Sequence, residues 1–490
     1  MFLSSEVAPF AKTGGLADVA SALPRALFDM GHDVRIMMPK YGPISERKFV
    51  LREVIRLKKI PVKMGPTEHI TCAKSAFIPD SKVQVYFLDY RPFFDRPDLY
   101  VNPKNGKDYE DNAERFMLFC KAVIETIKLL HWEPQVIHCN DWQTALIPWL
   151  LKNEYGEDPF FNRTASLLSI HNLAYQGLFD LDKLGTLGLP DELRQAGSEM
   201  EFYGKLNFLK SGIHNADAIT TVSQNYALEI QKNPEMGAGL EGVLLQRKKD
   251  IFGILNGVDY TVWDPETDKF IKAQYSAANL KDKLKNKIAL LEKCEMPFDE
   301  STPLVGMISR LDSQKGFDLF EQSIKDLIKM NIQIVILGTG DKKVMKFLER
   351  IGAKYPEKFA VLLRFDEKMA HLIEAGSDIF LMPSRYEPCG LNQMFSLKYG
   401  TIPVVRKTGG LADTIVDYIE DPSKGNGFVF ERYDRQDMLA ALRNAVDLFS
   451  DTSTWQKLMK RGMRLNFSWQ AAAEKYVKIY NKLDSIKRKK

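Results

Sequence analysis

Cysteine is scarce and scattered. The five copies, Cys72, Cys120, Cys139, Cys294 and Cys389, never stand in C-x-x-C spacing, which speaks against a disulfide framework and against the usual zinc patterns. Their default role is small buried filler. Charge of one sign is lacking too: 68 Lys and Arg against 64 Asp and Glu leave only +4 over 490 residues. That balance advertises no polyanion-binding surface, so nucleic acid is not an expected partner. Long apolar runs are also missing. The longest, such as 334–337 and 145–151, fall far short of the roughly 20 residues a membrane span requires, and Pro148 interrupts the second. The first residues hold no basic n-region, no apolar stretch of signal length and no Arg-rich transit pattern, which predicts a cytoplasmic protein.

What is present is ordinary globular composition, 45% hydrophobic and 27% charged, enough for two large α/β units. Residues 2–5 read as the end of a buried strand entering a Gly-rich turn, and Leu16, Ala20, Leu23 and Leu27 follow at helical spacing. Apolar runs at 34–38, 136–138, 165–170 and 218–222 continue the series. The grammar restarts at 304–308, 332–337, 359–363, 379–382 and 402–405. Strands alternating with helices predict mostly parallel, doubly wound sheets. Residues 264–301, rich in Lys, Asp and Glu, read as a connecting segment. The expected domains are 1–255 and 256–465, with a closing helix in 466–490 that presents Ala472, Tyr476, Ile479 and Leu483 on one face. The basic tail 485–490 is expected to be solvated and disordered.

One repeat stands out. Lys12-Thr13-Gly14-Gly15-Leu16-Ala17-Asp18 recurs as Lys407-Thr408-Gly409-Gly410-Leu411-Ala412-Asp413, each copy after an apolar strand and before a helical pattern. A Gly-Gly pair at such a turn lets backbone approach a ligand, and helix-start N–H groups attract an anion. One copy alone is equally well explained as a tight turn. Two copies in two similar domains point to a ligand held between them, at the C-terminal ends of parallel strands.

The motifs Ser5-Glu6-Val7-Ala8-Pro9-Phe10 running into the first heptad, Cys139-Asn140-Asp141-Trp142, His171-Asn172-Leu173-Ala174-Tyr175-Gln176-Gly177, Asn256-Gly257-Val258-Asp259, Ser309-Arg310-Leu311-Asp312-Ser313-Gln314-Lys315-Gly316 and Ser384-Arg385-Tyr386-Glu387-Pro388-Cys389-Gly390-Leu391 occur in this order. With these the chain resembles, over essentially its whole length, the bacterial and plastid starch and glycogen synthases. These are retaining glucosyltransferases of the GT-B type. The resemblance implies two Rossmann-like doubly wound domains facing an interdomain cleft, and a C-terminal helix crossing back to the first domain.

It also implies roles residue by residue. Arg310 and Lys315 would neutralise the leaving nucleoside diphosphate, one through a planar fork and the other as a point charge. Glu387 would hydrogen-bond the donor sugar and support an oxocarbenium-like transition state, with Cys389 and the backbone N–H groups of Gly390 and Leu391 beside it. Position 395, where the broader pattern often has a second Glu, is Phe395. His171 would border the glucose, with Asp141 as its polar partner in the catalytic set. Trp142 offers either a sugar-stacking face or a core aromatic after a helix N-cap. Asn140 stands where the family commonly has His. Lys12, Gly14, Gly15, Thr408, Gly409 and Gly410 would contact the donor, Gly338 would admit the nucleotide backbone, and Phe365 would stack on the nucleobase unless it is a core Phe. Asn172, Tyr175 and Asn256 complete the expected acceptor contacts. No Asp-x-Asp motif stands where a metal would be needed, so a metal-independent enzyme without cofactor is expected.

The implied reaction passes glucose from ADP-glucose to the non-reducing end of an α-1,4-glucan (glycogen, starch or maltooligosaccharide) with retention, and without nucleic acid or membrane as partners. One candidate carboxylate in place of a closely spaced pair disfavours double displacement and favours a front-face transfer. A plastid stroma replaces the cytoplasm if the source is a photosynthetic eukaryote. The alternatives are another retaining GT-B transferase using a different sugar nucleotide, or an inactive glucan-binding scaffold. The joint presence of Lys12, Arg310, Lys315 and Glu387 speaks against the scaffold.

Overall fold

The computed structural model describes residues 1–489 and divides into two units. Unit 1 holds Met1–Val222, Ala227–Gly257 and the chain from Trp469 onward; unit 2 holds Ser223–Tyr226 and Val258–Ser468. Apart from the 223–226 segment, the chain passes from one unit to the other two residues beyond the expected boundary and returns three residues beyond the expected second one. Among the described residues no helix is long and apolar enough to cross a membrane.

Unit 1 is built on β1 (Phe2–Leu3), α1 (Gly15–Asp29), β2 (Arg35–Pro39), β3 (Thr67–Phe77), β4 (Gln84–Asp89), α2 (Asn112–Leu129), β5 (Val136–Asn140), β6 (Ala165–Ile170), β7 (Ala218–Thr221) and β8 (Ile251–Gly253). These strands run β8-β7-β6-β5-β1-β2-β4-β3, paired parallel except β3 with β4, and two short strands, Arg52–Glu53 and Ile60–Met64, also pair antiparallel with β3. Strand β6 is buried along its whole length, as a strand covered on both faces must be. The sequence reading missed β3 and β4. The alternation of β3, half exposed and carrying His69, Thr71 and Lys74, lacks the continuous apolar signal of the parallel strands. Strand order reverses between β1 and β5, so the loops that follow them share one switch point, where such sheets bind ligands.

Unit 2 contains α3 (Lys283–Lys293), β9 (Leu304–Ile308), α4 (Phe317–Lys329), β10 (Gln333–Leu337), β11 (Phe359–Leu362), α5 (Glu367–Gly376), β12 (Ile379–Met382), α6 (Asn392–Lys398), β13 (Ile402–Arg406), α7 (Gly409–Thr414) and β14 (Phe428–Phe430). Its six strands run β11-β10-β9-β12-β13-β14, all parallel. Alternate residues feed two apolar layers: Val305, Ile334, Ile336 and Ile379 on one face, Leu304, Val335, Leu337 and Phe380 on the other. The order reverses between β9 and β12, bringing together the loops at 309–316 and 383–391.

Two expectations are corrected here. Residues 264–301 are not a loose connection but part of unit 2. Trp263 stacks flat on His371 at 3.8 Å and on Phe395 at 4.1 Å, and buried Asp268 accepts hydrogen bonds from His371 Nδ1 (2.7 Å) and Tyr399 OH (2.6 Å). Lys283 and Lys287 are buried as well, Lys287 against Asp378 at 2.8 Å. A charged composition thus concealed paired charges. The tail is the second correction: α8 (Trp469–Lys487) carries the helix through its first half, and Lys487 pairs with Asp217 at 3.1 Å. Only Lys490 of that tail lies outside the described residues. Helix α8 packs on α1, β5 and β6, burying Ala472, Tyr476, Ile479 and Leu483, with Tyr480 OH 2.7 Å from His138 Nδ1.

Candidate active site

In unit 1 the chain leaves β1 at Ser4 and reaches Glu6, a carboxylate only 4% exposed. Its Oε2 accepts from the N–H groups of Thr13 (2.6 Å) and Gly14 (3.2 Å), and its Oε1 from Thr13 Oγ1 (2.6 Å) and Tyr100 OH (2.9 Å). Lys12 stands in the same loop, exposed, with Nζ 2.7 Å from Asp18. Gly14 and Gly15 are exposed, neither has a positive φ, and a Cβ on either would meet nothing within 4 Å. The space beside them is open.

The loop after β5 holds Asp141 at φ 55, a left-handed conformation that costs a non-glycine residue energy and clusters at functional sites. Its Oδ1 accepts from His171 N at 2.7 Å. Burial, with the Glu6 charge adding to it, pushes the Asp141 carboxyl up to about 7. Burial also pulls His171 down to about 4, so the ring is neutral at pH 7. Asn140 donates Nδ2 to Leu3 O at 2.8 Å, which turns its Oδ1 toward His171 Nε2, 2.8 Å away. A neutral ring facing an acceptor there carries its proton on Nε2. Asn140, in place of the expected His, is thus the residue that fixes the tautomer.

Of the expected acceptor residues, Tyr175 is 60% exposed, and Asn172 shapes its turn by accepting from Ala174 N at 3.0 Å. Asn256 Oδ1 is buried without a hydrogen-bond partner among the described residues. Trp142 is a core aromatic. It is 9% exposed, packs edge-on against Phe116 and Phe179, and a Cβ on Gly177 would lie 2.6 Å from its ring. The sugar-stacking alternative is set aside.

In unit 2, Arg310 leaves β9 largely exposed, steadied by Asp312 (3.2 Å) and Gln314 (2.9 Å). Lys315 closes the following short turn and its Nζ lies 2.6 Å from Glu387 Oε2, which also accepts from Ser384 Oγ at 3.0 Å. Gly316 makes this approach feasible: its φ is +81 and a Cβ would lie 2.0 Å from Pro383 O. Glu387 is buried. Cys389 is buried beside it, Gly390 takes φ +71, and Leu391 leads into α6. Phe365 is 90% exposed, which excludes the core alternative.

The second heptad and Gly338 are used differently from expectation. Thr408, Gly409 and Gly410 are buried. A Cβ on Gly409 would lie 1.9 Å from Glu387 O and one on Gly410 2.0 Å from Cys389 O, while Gly410 N donates to Glu387 O at 3.1 Å. These glycines are the floor under the Glu387 loop. Gly338 likewise presses on Ser309 O, which a Cβ would meet at 1.9 Å, so its small size serves loop packing. Among the described residues no group of three or more His, Cys, Asp or Glu converges as metal ligands would.

Sequence reasoning missed Glu6, Tyr100 and Ser384. Glu6 and Ser384 lay inside the quoted motifs, but the partners that give them meaning come from distant segments, Tyr100 being 94 positions from Glu6.

Residues 1–246 match the family model of the starch synthase catalytic domain, and residues 291–457 that of glycosyl transferases group 1. The glycogen synthase of Koribacter versatilis is 48% identical over 99% of this chain and 98% of its own, and that of Syntrophotalea carbinolica 46% identical over 98% of each. Among solved structures, the catalytic domain of starch synthase IV from Arabidopsis thaliana, bound to ADP and acarbose, is 33% identical with a TM-score of 0.88 over 99% of both chains. Sucrose-phosphate synthase from Thermosynechococcus elongatus, 16% identical with a TM-score of 0.60 over 99% of this chain and 98% of its own, shares the fold alone. With both halves matched to family models and full-length relatives at this identity, the chain belongs to the glycogen and starch synthase family of GT-B glycosyltransferases.

Proposed function

We propose that the enzyme transfers glucose from ADP-glucose to the non-reducing end of an α-1,4-glucan, retaining the anomeric configuration, without a metal ion. The observation that carries the assignment of roles is the Lys315–Glu387 pair at 2.6 Å, seated with Arg310 at the switch point of unit 2. The ADP-bound starch synthase relative supports the choice of donor.

In this reading Arg310, exposed and held by two side-chain acceptors, and Lys315 meet the diphosphate. They offset the charge that grows on it as the glycosidic bond breaks. Glu387 accepts hydrogen bonds from the donor sugar and stabilises positive charge at the anomeric carbon. Lys12 adds a cation from unit 1. His171, neutral and fixed by Asn140, and Asp141, which holds the His171 backbone, border the glucosyl unit. The C1–phosphate oxygen bond breaks while the acceptor hydroxyl oxygen bonds to C1 on the same face, and its proton passes to the leaving phosphate oxygen, releasing ADP. Phe365, exposed on unit 2, stacks on the base, and Tyr175, Asn172 and Asn256 serve the acceptor. We assign the reaction to the cytoplasm.

The test is label transfer into glycogen from ADP-glucose and UDP-glucose, each with EDTA present. Transfer from ADP-glucose that survives EDTA and falls by about 10³-fold or more in Glu387→Ala is expected. Preference for UDP-glucose, loss with EDTA, or an isolable covalent glucosyl-enzyme would overturn the reading.

A further inference from the structure

Glu6 belongs to none of the roles assigned above, yet both of its carboxylate oxygens are engaged by hydrogen bonds. It is buried, and among the described residues it forms no ion pair. A buried carboxylate without a cation is tolerated only where hydrogen bonds and dipoles replace water. Glu6 receives four hydrogen bonds, three of them from Thr13 and Gly14 and the fourth from Tyr100. It lies at the N-terminal end of the 15-residue α1, where the helix dipole favours negative charge. Tyr100 OH is anchored in turn, 2.7 Å from Ser5 Oγ. The loop so held is otherwise exposed from Lys12 to Gly15, with open space beside both glycines.

We infer that Glu6 is a positioning residue for donor binding: an internal carboxylate that pins the Lys12–Gly14 loop from its inner side and leaves Lys12 and the open flank of Gly14 and Gly15 to the donor diphosphate. The inference rests on the reading that Lys12 meets the donor. It alters one expectation, because the N–H groups of Thr13 and Gly14 are bound to Glu6 and do not serve the phosphate. Glu6 acts through hydrogen-bond geometry and touches no reacting atom. A glutamine should therefore substitute: its amide oxygen can accept from Thr13 and Gly14, and its NH2 can donate to the hydroxyls of Thr13 and Tyr100, both able to turn and accept.

The experiment is steady-state kinetics in ADP-glucose at saturating glycogen for wild type, Glu6→Ala, Glu6→Gln, Thr13→Ala and Lys12→Ala. Loss of the loop's hydrogen bonds should raise the donor KM about tenfold or more in Glu6→Ala and a few-fold in Thr13→Ala, with kcat within about threefold of wild type. Glu6→Gln should stay within about threefold of wild type in both parameters. Lys12→Ala gauges the underlying reading: if it leaves the donor KM unchanged, Lys12 does not meet the donor and the inference falls with it. If Lys12→Ala raises KM while Glu6→Ala does not, positioning alone is refuted. A Glu6→Gln enzyme as impaired as Glu6→Ala, with kcat collapsed, would mean that the carboxylate charge acts on the substrate, which also overturns the inference. Should Glu6→Ala fail to fold, Thr13→Ala decides, and an unchanged donor KM there is the contrary result.

Discussion

The two heptads at 12–18 and 407–413 share every residue and almost none of their surroundings. In the first, Gly14 and Gly15 are exposed with empty space where a Cβ would stand, and the preceding backbone is tied down by a carboxylate from β1's exit, Glu6. In the second, Gly409 and Gly410 are buried against the carbonyls of Glu387 and Cys389. Lys12 pairs within its own heptad with Asp18, whereas Lys407 reaches Glu431 beyond β14. Asp413 is spent on the 223–226 segment, accepting from Ser223 Oγ at 2.7 Å. A glycine pair after a strand therefore signals close backbone approach, but the neighbours decide whether a ligand or the protein itself makes that approach. The first copy leaves open space beside its glycines, and the second supports Glu387, the residue we propose contacts the donor.

The largest effect that could break this contrast is at the floor of the Glu387 loop. Gly410→Ala and Gly409→Ala place a methyl within 2.0 Å and 1.9 Å of backbone oxygens, and Gly409 adds a positive φ. Each should destabilise unit 2 by about 2–4 kcal/mol, measured by urea unfolding, and abolish transfer. Next comes Lys315→Ala, which removes the cation 2.6 Å from buried Glu387. A fall in kcat of about 10²-fold or more is expected, with the donor KM also raised.

A smaller effect is a titration. The folded Asp141 carboxyl sits at about 7 against an ordinary 3.8, so the folded state holds the proton more tightly over that interval. Its contribution to stability is complete below about pH 4 and declines as pH rises toward 7. His171, lowered to about 4 from 6.5, works in the opposite sense, with the unfolded chain taking the proton, so its part of the stability rises between those values. Unfolding free energies from pH 4 to 7 should therefore show wild type losing ground to Asp141→Asn as pH climbs. A flat difference would contradict the assigned burial. The smallest effect is at Lys407. Its pair with Glu431 is exposed on both sides, and Lys407→Ala should leave the melting temperature unchanged, since exposed pairs contribute little.

Much of this was legible because parallel strands covered on both faces read as short apolar runs. β9 and β12 fall at the residues the pattern predicts, and the motifs that follow them meet in the Lys315–Glu387 pair. Less legible were features whose meaning comes from distant partners. The charged stretch 264–301 became packed structure once Asp268 met His371 and Tyr399, and Lys287 met Asp378. Trp142 looked available until Phe116 and Phe179 enclosed it. Glu6 lay inside a quoted motif without standing out, because its hydrogen-bond partners are a loop seven residues on and a tyrosine from another part of the unit.

The difference between the heptads is tested most directly by Gly15→Ala, assayed for donor KM and for unfolding free energy together. The space beside Gly15 is empty and the residue opens α1, so the protein should keep its stability within about 0.5 kcal/mol or gain slightly. The donor KM should rise about tenfold as the methyl enters the path we propose for the diphosphate. A variant with unaltered donor KM, or one destabilised as severely as Gly410→Ala, would contradict the account.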